Sequence, residues 1–289
     1  MFVDACRKAK GFTRPVATSL RYQDGTVGTT LNSFIIVNRD GWAITAAHTF
    51  DSMVKYEADR KKIAEIEKMQ GATVDGSPRP PSKLDPKFIL NHSFWWGWDG
   101  VMISEVTIDR RVDIALVKLV NFKPGMVPNY PVFADPEEVS IGMSVCRVGH
   151  PFMDPPTEFD ASMNAFRIPK IDSDSALFVN DGVVSKIVTM KKAGNSPFDA
   201  TYMDTSTPGY RGQAGGPIVD TAGRVCAMQV NTFAVPFGFH GSGEEKNPLE
   251  DQFCCIGRSV HVKTIRQFLD SKNIRYASDD SDVEYKIVE

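Results

Sequence analysis

The chain has 289 residues, 42% hydrophobic and 24% charged, which suits one or two globular domains with a core that needs no disulfide staples. A net charge of −3 gives no global electrostatic case for nucleic acid or an anionic membrane surface as partner. No run of about 18 apolar residues is present to cross a bilayer as a helix.

The start, Met1-Phe2-Val3-Asp4-Ala5-Cys6-Arg7-Lys8, has no basic region leading into an apolar one, so no secretory leader is expected. Residues 1–15 read as an N-terminal segment without an assigned element. Residues 33–37 form a strand pattern, Asn38-Arg39-Asp40-Gly41 a turn, and residues 42–46 a second strand; Asp-Gly between two such runs signals a hairpin. Residues 52–69 carry Met53, Tyr56, Ile63, Ile66 and Met69 at helical spacing and predict an amphipathic helix. Residues 71–87, with Pro78, Pro80 and Pro81, read as an extended loop. The cluster Phe94-Trp95-Trp96-Gly97-Trp98 is expected to pack in the core, with a partner surface as the sharper alternative.

Strand grammar returns over residues 177–188 and 218–219, then, after the turn Asp220-Thr221-Ala222-Gly223, over residues 225–230. Residues 262–272 place Ile265, Phe268 and Leu269 on one helical face. Residues 277–289 form an acidic tail. Short, regularly spaced strands predict an all-β fold of barrel or sandwich type rather than alternating β and α. The five cysteines, Cys6, Cys146, Cys226, Cys254 and Cys255, are odd in number and show no C-x-x-C spacing. Neither a disulfide framework nor a metal site is expected, and reduced thiols point to the cytoplasm. No organic cofactor is implied.

Three segments carry chemistry. Ile44-Thr45-Ala46-Ala47-His48 puts a histidine directly after a strand. Arg111-Val112-Asp113-Ile114-Ala115-Leu116-Val117 sets a carboxylate in an apolar strand, where it needs a partner such as an imidazole N–H. Arg211-Gly212-Gln213-Ala214-Gly215-Gly216-Pro217 is a glycine turn whose N–H groups at 212 and 214 can converge on one point, as an oxyanion hole requires. A base, an orienting carboxylate and backbone donors beside a nucleophile are the parts of acyl-transfer catalysis. His92, His150, His240 and His261 read as structural or exposed.

With these residues in hand, the chain resembles the chymotrypsin-fold (trypsin-like) serine proteases, and among them the HtrA-like branch. Thr45-Ala46-Ala47-His48 resembles the histidine motif, Val112-Asp113-Ile114-Ala115-Leu116 the aspartate motif, and Gly212-Gln213-Ala214-Gly215-Gly216-Pro217 the nucleophile motif. Phe34-Ile35-Ile36-Val37, Val148-Gly149-His150-Pro151-Phe152 and Asp181-Gly182-Val183-Val184-Ser185 resemble flanking segments. The resemblance spans residues 16–276 without a PDZ-like segment. It implies two packed six-stranded antiparallel β-barrels, the first over residues 16–130 with a partly helical insertion at 51–100. The second would cover residues 131–260, followed by a C-terminal helix at 262–272. The order His, Asp, nucleophile differs from subtilisins, and a strand rather than a helix follows the turn, unlike the α/β-hydrolase elbow.

One position departs from the pattern. The family's nucleophilic serine corresponds to Ala214, and a methyl group cannot attack a carbonyl. The expected parent activity is a serine endopeptidase acting on protein or peptide substrates. His48 would be the base, Asp113 its orienter, and Gly212 and Ala214 N–H the oxyanion donors. This chain would be an inactive form with serine replaced; the alternative is a natural pseudoprotease that binds peptides or regulates. Control by a regulatory protein partner is a further expectation. The resemblance also implies substrate contacts at Arg211, Val230, Asn231 and Thr232. In trypsin an acid stands in the segment ahead of the nucleophile; Pro208 matches it here, so no preference for Arg or Lys is expected, and an uncharged residue before the cleaved bond is.

Overall fold

A computed structural model describes residues 1–70, 73–74, 77–78, 84–152, 154–168, 171, 177–192, 197–236 and 253–279. Most of the proline-rich loop of residues 71–87, His240 and nearly all of the acidic tail lie outside the described residues. The first half contains helix α1 (Val3–Phe12), strands β1 (Thr13–Tyr22), β2 (Val27–Ile36) and β3 (Trp42–Ala46), and helix α2 (Asp51–Gln70). It continues with the short β4 (Thr73–Val74) and β5 (Ser77–Pro78), then β6 (Ile89–Trp95), β7 (Met102–Asp109) and β8 (Ile114–Val120). The second half contains β9 (Ser144–Gly149), a small hairpin β10 (Glu158–Asp160) and β11 (Ala165–Arg167), and β12 (Phe178–Met190). Then come β13 (Ala200–Thr205), β14 (Pro217–Val219), β15 (Val225–Pro236), β16 (Phe253–His261) and helix α3 (Val262–Ser271).

These strands make two six-stranded antiparallel sheets. The first runs β6-β1-β2-β3-β8-β7 and is barrel-like, with β6 and β7 at its ends. The second closes as β12-β13-β16-β15-β14-β9. The fold is therefore all-β with a C-terminal helix and a helical insertion, as the sequence leads one to expect.

Alternation along the central strands decides where the halves meet. Phe34 and Ile36 on β2, Ala43 on β3, and Ala115 and Val117 on β8 fill the interior of the first sheet. Their neighbours Ile35, Ile44, Ile114 and Leu116 turn the other way, into one cluster with Val145, Val148, Ile218, Met228 and Val260 of the second barrel. Both faces of β8 are thus buried, which is why Ile114-Ala115-Leu116-Val117 reads as an unbroken apolar run. The period of two aims alternate residues at opposite faces.

The sequence reading assigns no element to residues 1–15, where the structure has helix α1 and the start of β1 at Thr13. Ala5, Ala9 and Phe12 bury the inner face of α1 in the shared core. A ten-residue helix holding a glycine is marginal alone, so tertiary burial stabilises it. The thiols of Cys6 on α1 and Cys146 on β9 lie 3.5 Å apart. In α2 the apolar stripe is only partly realised: Met53, Tyr56, Ile63 and Ile66 are half-buried, but Met69 is exposed. The buried residue is Asp59, which accepts from Ile89 N at 2.9 Å and pairs with Lys55. Trp96 is buried among Phe34, Phe50 and Phe94 in the first core and Trp98 is partly buried against it, whereas Trp95 packs with Ala17, Leu31 and Ile171.

Candidate active site

The chain leaves β3 through a short 3-10 turn, Ala47–Phe50, and His48 sits at its start. Asp113 holds this turn at three points. Its carbonyl accepts from Ala47 N at 3.2 Å. Its Oδ1 accepts from His48 N at 2.9 Å, and its Oδ2 lies 2.7 Å from His48 Nδ1. Asp113 does not interrupt a strand, as the apolar pattern suggests. It ends the turn before β8, with φ at +56°. Aspartate tolerates this left-handed conformation better than most residues, and it turns backbone and carboxylate toward the same partner.

Both side chains stay accessible, His48 at 37% and Asp113 at 29% exposure. The Asp113 hydrogen bond raises the His48 pKa above its ordinary 6.5, against burial; the charges of Asp113 and Asp51 add to the rise and Arg110 opposes it. A carboxylate on Nδ1 selects the tautomer that leaves the Nε2 lone pair free to take a proton.

The turn at 212–216 belongs to the second barrel but is fastened to the first. Ser33 N on β2 donates to Ala214 O at 2.8 Å, and Ser33 Oγ donates to Gly212 O at 2.8 Å. Gly215 N donates to Gln229 O at 2.7 Å and Gly216 N to Gln213 O at 2.9 Å. A Cβ on Gly215, at φ +83°, would stand 2.1 Å from Ser33 O and 2.3 Å from Thr45 Oγ1. A Cβ on Gly212, at φ +100°, would stand 2.4 Å from His150 O. Only glycine fits such close backbone approach at positive φ. The turn therefore abuts Thr45 and Ala46, just ahead of His48. Among the described residues, the N–H groups of Gly212 and Ala214 meet no acceptor, whereas those of Gln213, Gly215 and Gly216 do.

Gln213 is buried within this frame, donating to Asn180 Oδ1 at 2.9 Å and accepting from Tyr210 N at 2.9 Å. Gln213 lies inside the glycine motif, whereas Ser33 is a positioning residue that motif reading missed. A serine inside the apolar run of β2 was the available signal for Ser33, because a buried hydroxyl needs a partner.

The expected substrate contacts divide. Arg211 is exposed and pairs with Asp154 at 3.6 Å. The Val230 side chain is buried in the core. Asn231 is exposed. Thr232 Oγ1 accepts from Gly209 N at 2.9 Å and donates to Gly209 O at 2.7 Å. His150 and His261 are buried and His92 is half-buried. Among the described residues no cluster of His, Cys, Asp and Glu is arranged to hold a metal.

Two antiparallel six-stranded sheets, with a His–Asp pair on one and a glycine turn from the other docked beside it, define the class of chymotrypsin-fold peptidases. The family model described as trypsin-like peptidase domain matches residues 33–228, and the chain belongs to that family. No curated protein matches it significantly by sequence. Similar solved structures include the HtrA-type protease AlgW with a tripeptide, at 15% identity and a TM-score of 0.47, covering 94% of this chain and 63% of that one. A substituted form of AlgW with a tripeptide matches at 14% identity and a TM-score of 0.49, with the same coverages. The same kind of protein with a decapeptide gives 15% and 0.49, covering 94% of this chain and 68% of that one. The chain thus spans somewhat under two thirds of the first two structures.

Proposed function

We propose that this is a serine endopeptidase domain in which alanine stands in place of the nucleophile. The observation that supports it is the pair of hydrogen bonds from His48 to Asp113, at 2.9 and 2.7 Å, beside a docked turn with unengaged N–H groups at 212 and 214. In an active form a serine at position 214 attacks the carbonyl while His48 Nε2 takes its proton. His48 then returns that proton to the leaving amine, and Asp113 stabilises the imidazolium. The N–H groups of Gly212 and residue 214 hold the developing oxyanion, each donor contributing about 3 kcal/mol. Loss of the nucleophile costs about 10⁶ in turnover in a well-characterised serine protease, so the chain as it stands binds substrate without cutting it.

A second reading follows from Ala214 itself. A protein that keeps the frame and lacks the nucleophilic atom works as a peptide-binding module, by strand addition beside β15. The two readings part on Ala214→Ser tested against an unfolded protein substrate. The first predicts cleavage that disappears with His48→Ala. Failure to cleave, with peptide binding retained, favours the second.

A further inference from the structure

Arg147, on β9, is only 2% exposed. Its Nε donates to Gln229 Oε1 at 2.8 Å and its Nη1 to Pro208 O at 2.9 Å. Its Nη2 donates to Thr205 Oγ1 at 2.6 Å and to Thr207 O at 3.4 Å. These partners are neutral. Among the described residues no carboxylate lies within ion-pair distance of the guanidinium, and Asp204 beside Thr205 is already taken by Arg258 at 2.8 and 2.9 Å. Burial lowers the Arg147 pKa to about 10, which leaves it charged at neutral pH. A buried cation without a counter-charge is unfavourable unless something supplies one.

Its position says what that something is. Thr205 to Pro208 lead through Gly209 and Tyr210 into the turn at 212–216, and Gln229 precedes Val230, Asn231 and Thr232. The resemblance to trypsin-like peptidases implies that a peptide carbonyl on the N–H groups of Gly212 and Ala214 directs the preceding side chain between those two segments. Gly257 on β16 admits the guanidinium there, since a Cβ on it would stand 2.5 Å from Arg147 Nη2. Between the two segments the Gln229 side chain lies against Gly209 and donates to Asn231 O at 2.6 Å, and the Thr232 hydroxyl, Oγ1, is bonded to Gly209 N and O. An entering side chain has to displace that hydroxyl and compete with the longest guanidinium contact, to Thr207 O.

We propose that Arg147 is the floor of the primary specificity pocket and selects an acidic residue, Asp or Glu, immediately before the cleaved bond. The proposal rests on the peptidase reading of the cleft and replaces the expectation of an uncharged residue at that position. A carboxylate there gains a charge-assisted hydrogen bond in a dry site. Its amide isostere leaves the cation uncompensated, and a lysine side chain is repelled.

The test uses fluorogenic peptide pools with Glu, Gln, Asp, Asn, Lys or Leu fixed before the cleaved bond and the other positions randomised. On the Ala214→Ser protein, Glu is expected to exceed Gln in kcat/KM by about tenfold or more, with Lys slowest. Arg147→Met is expected to bring the Glu-to-Gln ratio close to one; a merely structural arginine would lower both and leave the ratio. If Arg147→Met does not fold, the Glu, Gln and Lys series on the unaltered floor decides. Equal rates for Glu and Gln, or a preference for Lys or Leu, overturn the proposal. Labelling by a fluorophosphonate, which needs no side chain in this pocket, reports separately on the peptidase reading. If labelling fails, anisotropy of fluorescent Glu and Gln pools on the chain as it stands takes over. Tighter binding of Glu sustains the pocket without catalysis; equal or absent binding rejects it.

Discussion

The two sides of the candidate site are built from different materials. The first sheet supplies side-chain chemistry: a histidine and an aspartate joined by two hydrogen bonds, with Asp113 in a left-handed conformation that serves both. The second barrel supplies a backbone shape: Gly212, Gly215 and Gly216 held by carbonyls and by Ser33, with the methyl group of Ala214 where the proposed function needs a nucleophilic oxygen. The contrast explains how Ala214 and an intact frame coexist. No hydrogen bond that fastens the turn runs through the side chain at 214, so on the proposed function exchanging hydroxyl for hydrogen would remove attack and leave the shape.

The contrast can be broken from either side, and the largest effect belongs to the missing atom. Ala214→Ser is expected to raise peptide hydrolysis by about 10⁶ over the chain as it stands, measured as kcat/KM. On that background Asp113→Asn should lower turnover by about 10⁴, because the histidine loses its tautomer and orientation while the fold persists. A loss of only a few-fold would make Asp113 a turn residue rather than an orienter.

The frame is tested by Gly215→Ala. A Cβ at φ +83° beside Ser33 O and Thr45 Oγ1 should cost about 3 kcal/mol or more, read from urea unfolding. Unchanged stability would mean that the faces are not docked as described.

Much of this site is legible in the sequence, for a physical reason. His48, Asp113 and the glycine turn each lie in a short local pattern, and their order along the chain separates this arrangement from others with the same chemistry. Ser33 and Arg147 are not legible in that way. Ser33 reaches Gly212 across 179 positions and Arg147 reaches Gln229 across 82, and no local period encodes such contacts. The strand limit at Asp113 was hidden because β8 is buried on both faces. Helix α1 was hidden because its stability comes from the core that it covers rather than from its own ten residues.

Smaller effects concern protonation. The raised His48 pKa places the acid limb of the Ala214→Ser activity profile above pH 6.5, since only neutral imidazole accepts a proton; Asp113→Asn should move that limb down. For stability the sign runs the other way. A folded-state pKa above the unfolded one gives stabilisation that is complete below about pH 6.5 and lost as pH rises through the raised value. With both groups partly exposed, the loss should stay near or below about 1 kcal/mol. Urea unfolding against pH should show this slope in the chain as it stands and not in Asp113→Asn. Asp51→Asn, which removes a weaker charge contribution, should lower the His48 pKa least of all, as read from its imidazole NMR titration.

On the proposed function this site lacks one atom and nothing else. Fluorophosphonate labelling tests this most directly. Ala214→Ser should be labelled, the chain as it stands should not, and adding His48→Ala should abolish the signal. Absence of labelling in a folded Ala214→Ser protein, or labelling that survives the loss of His48, would contradict the account.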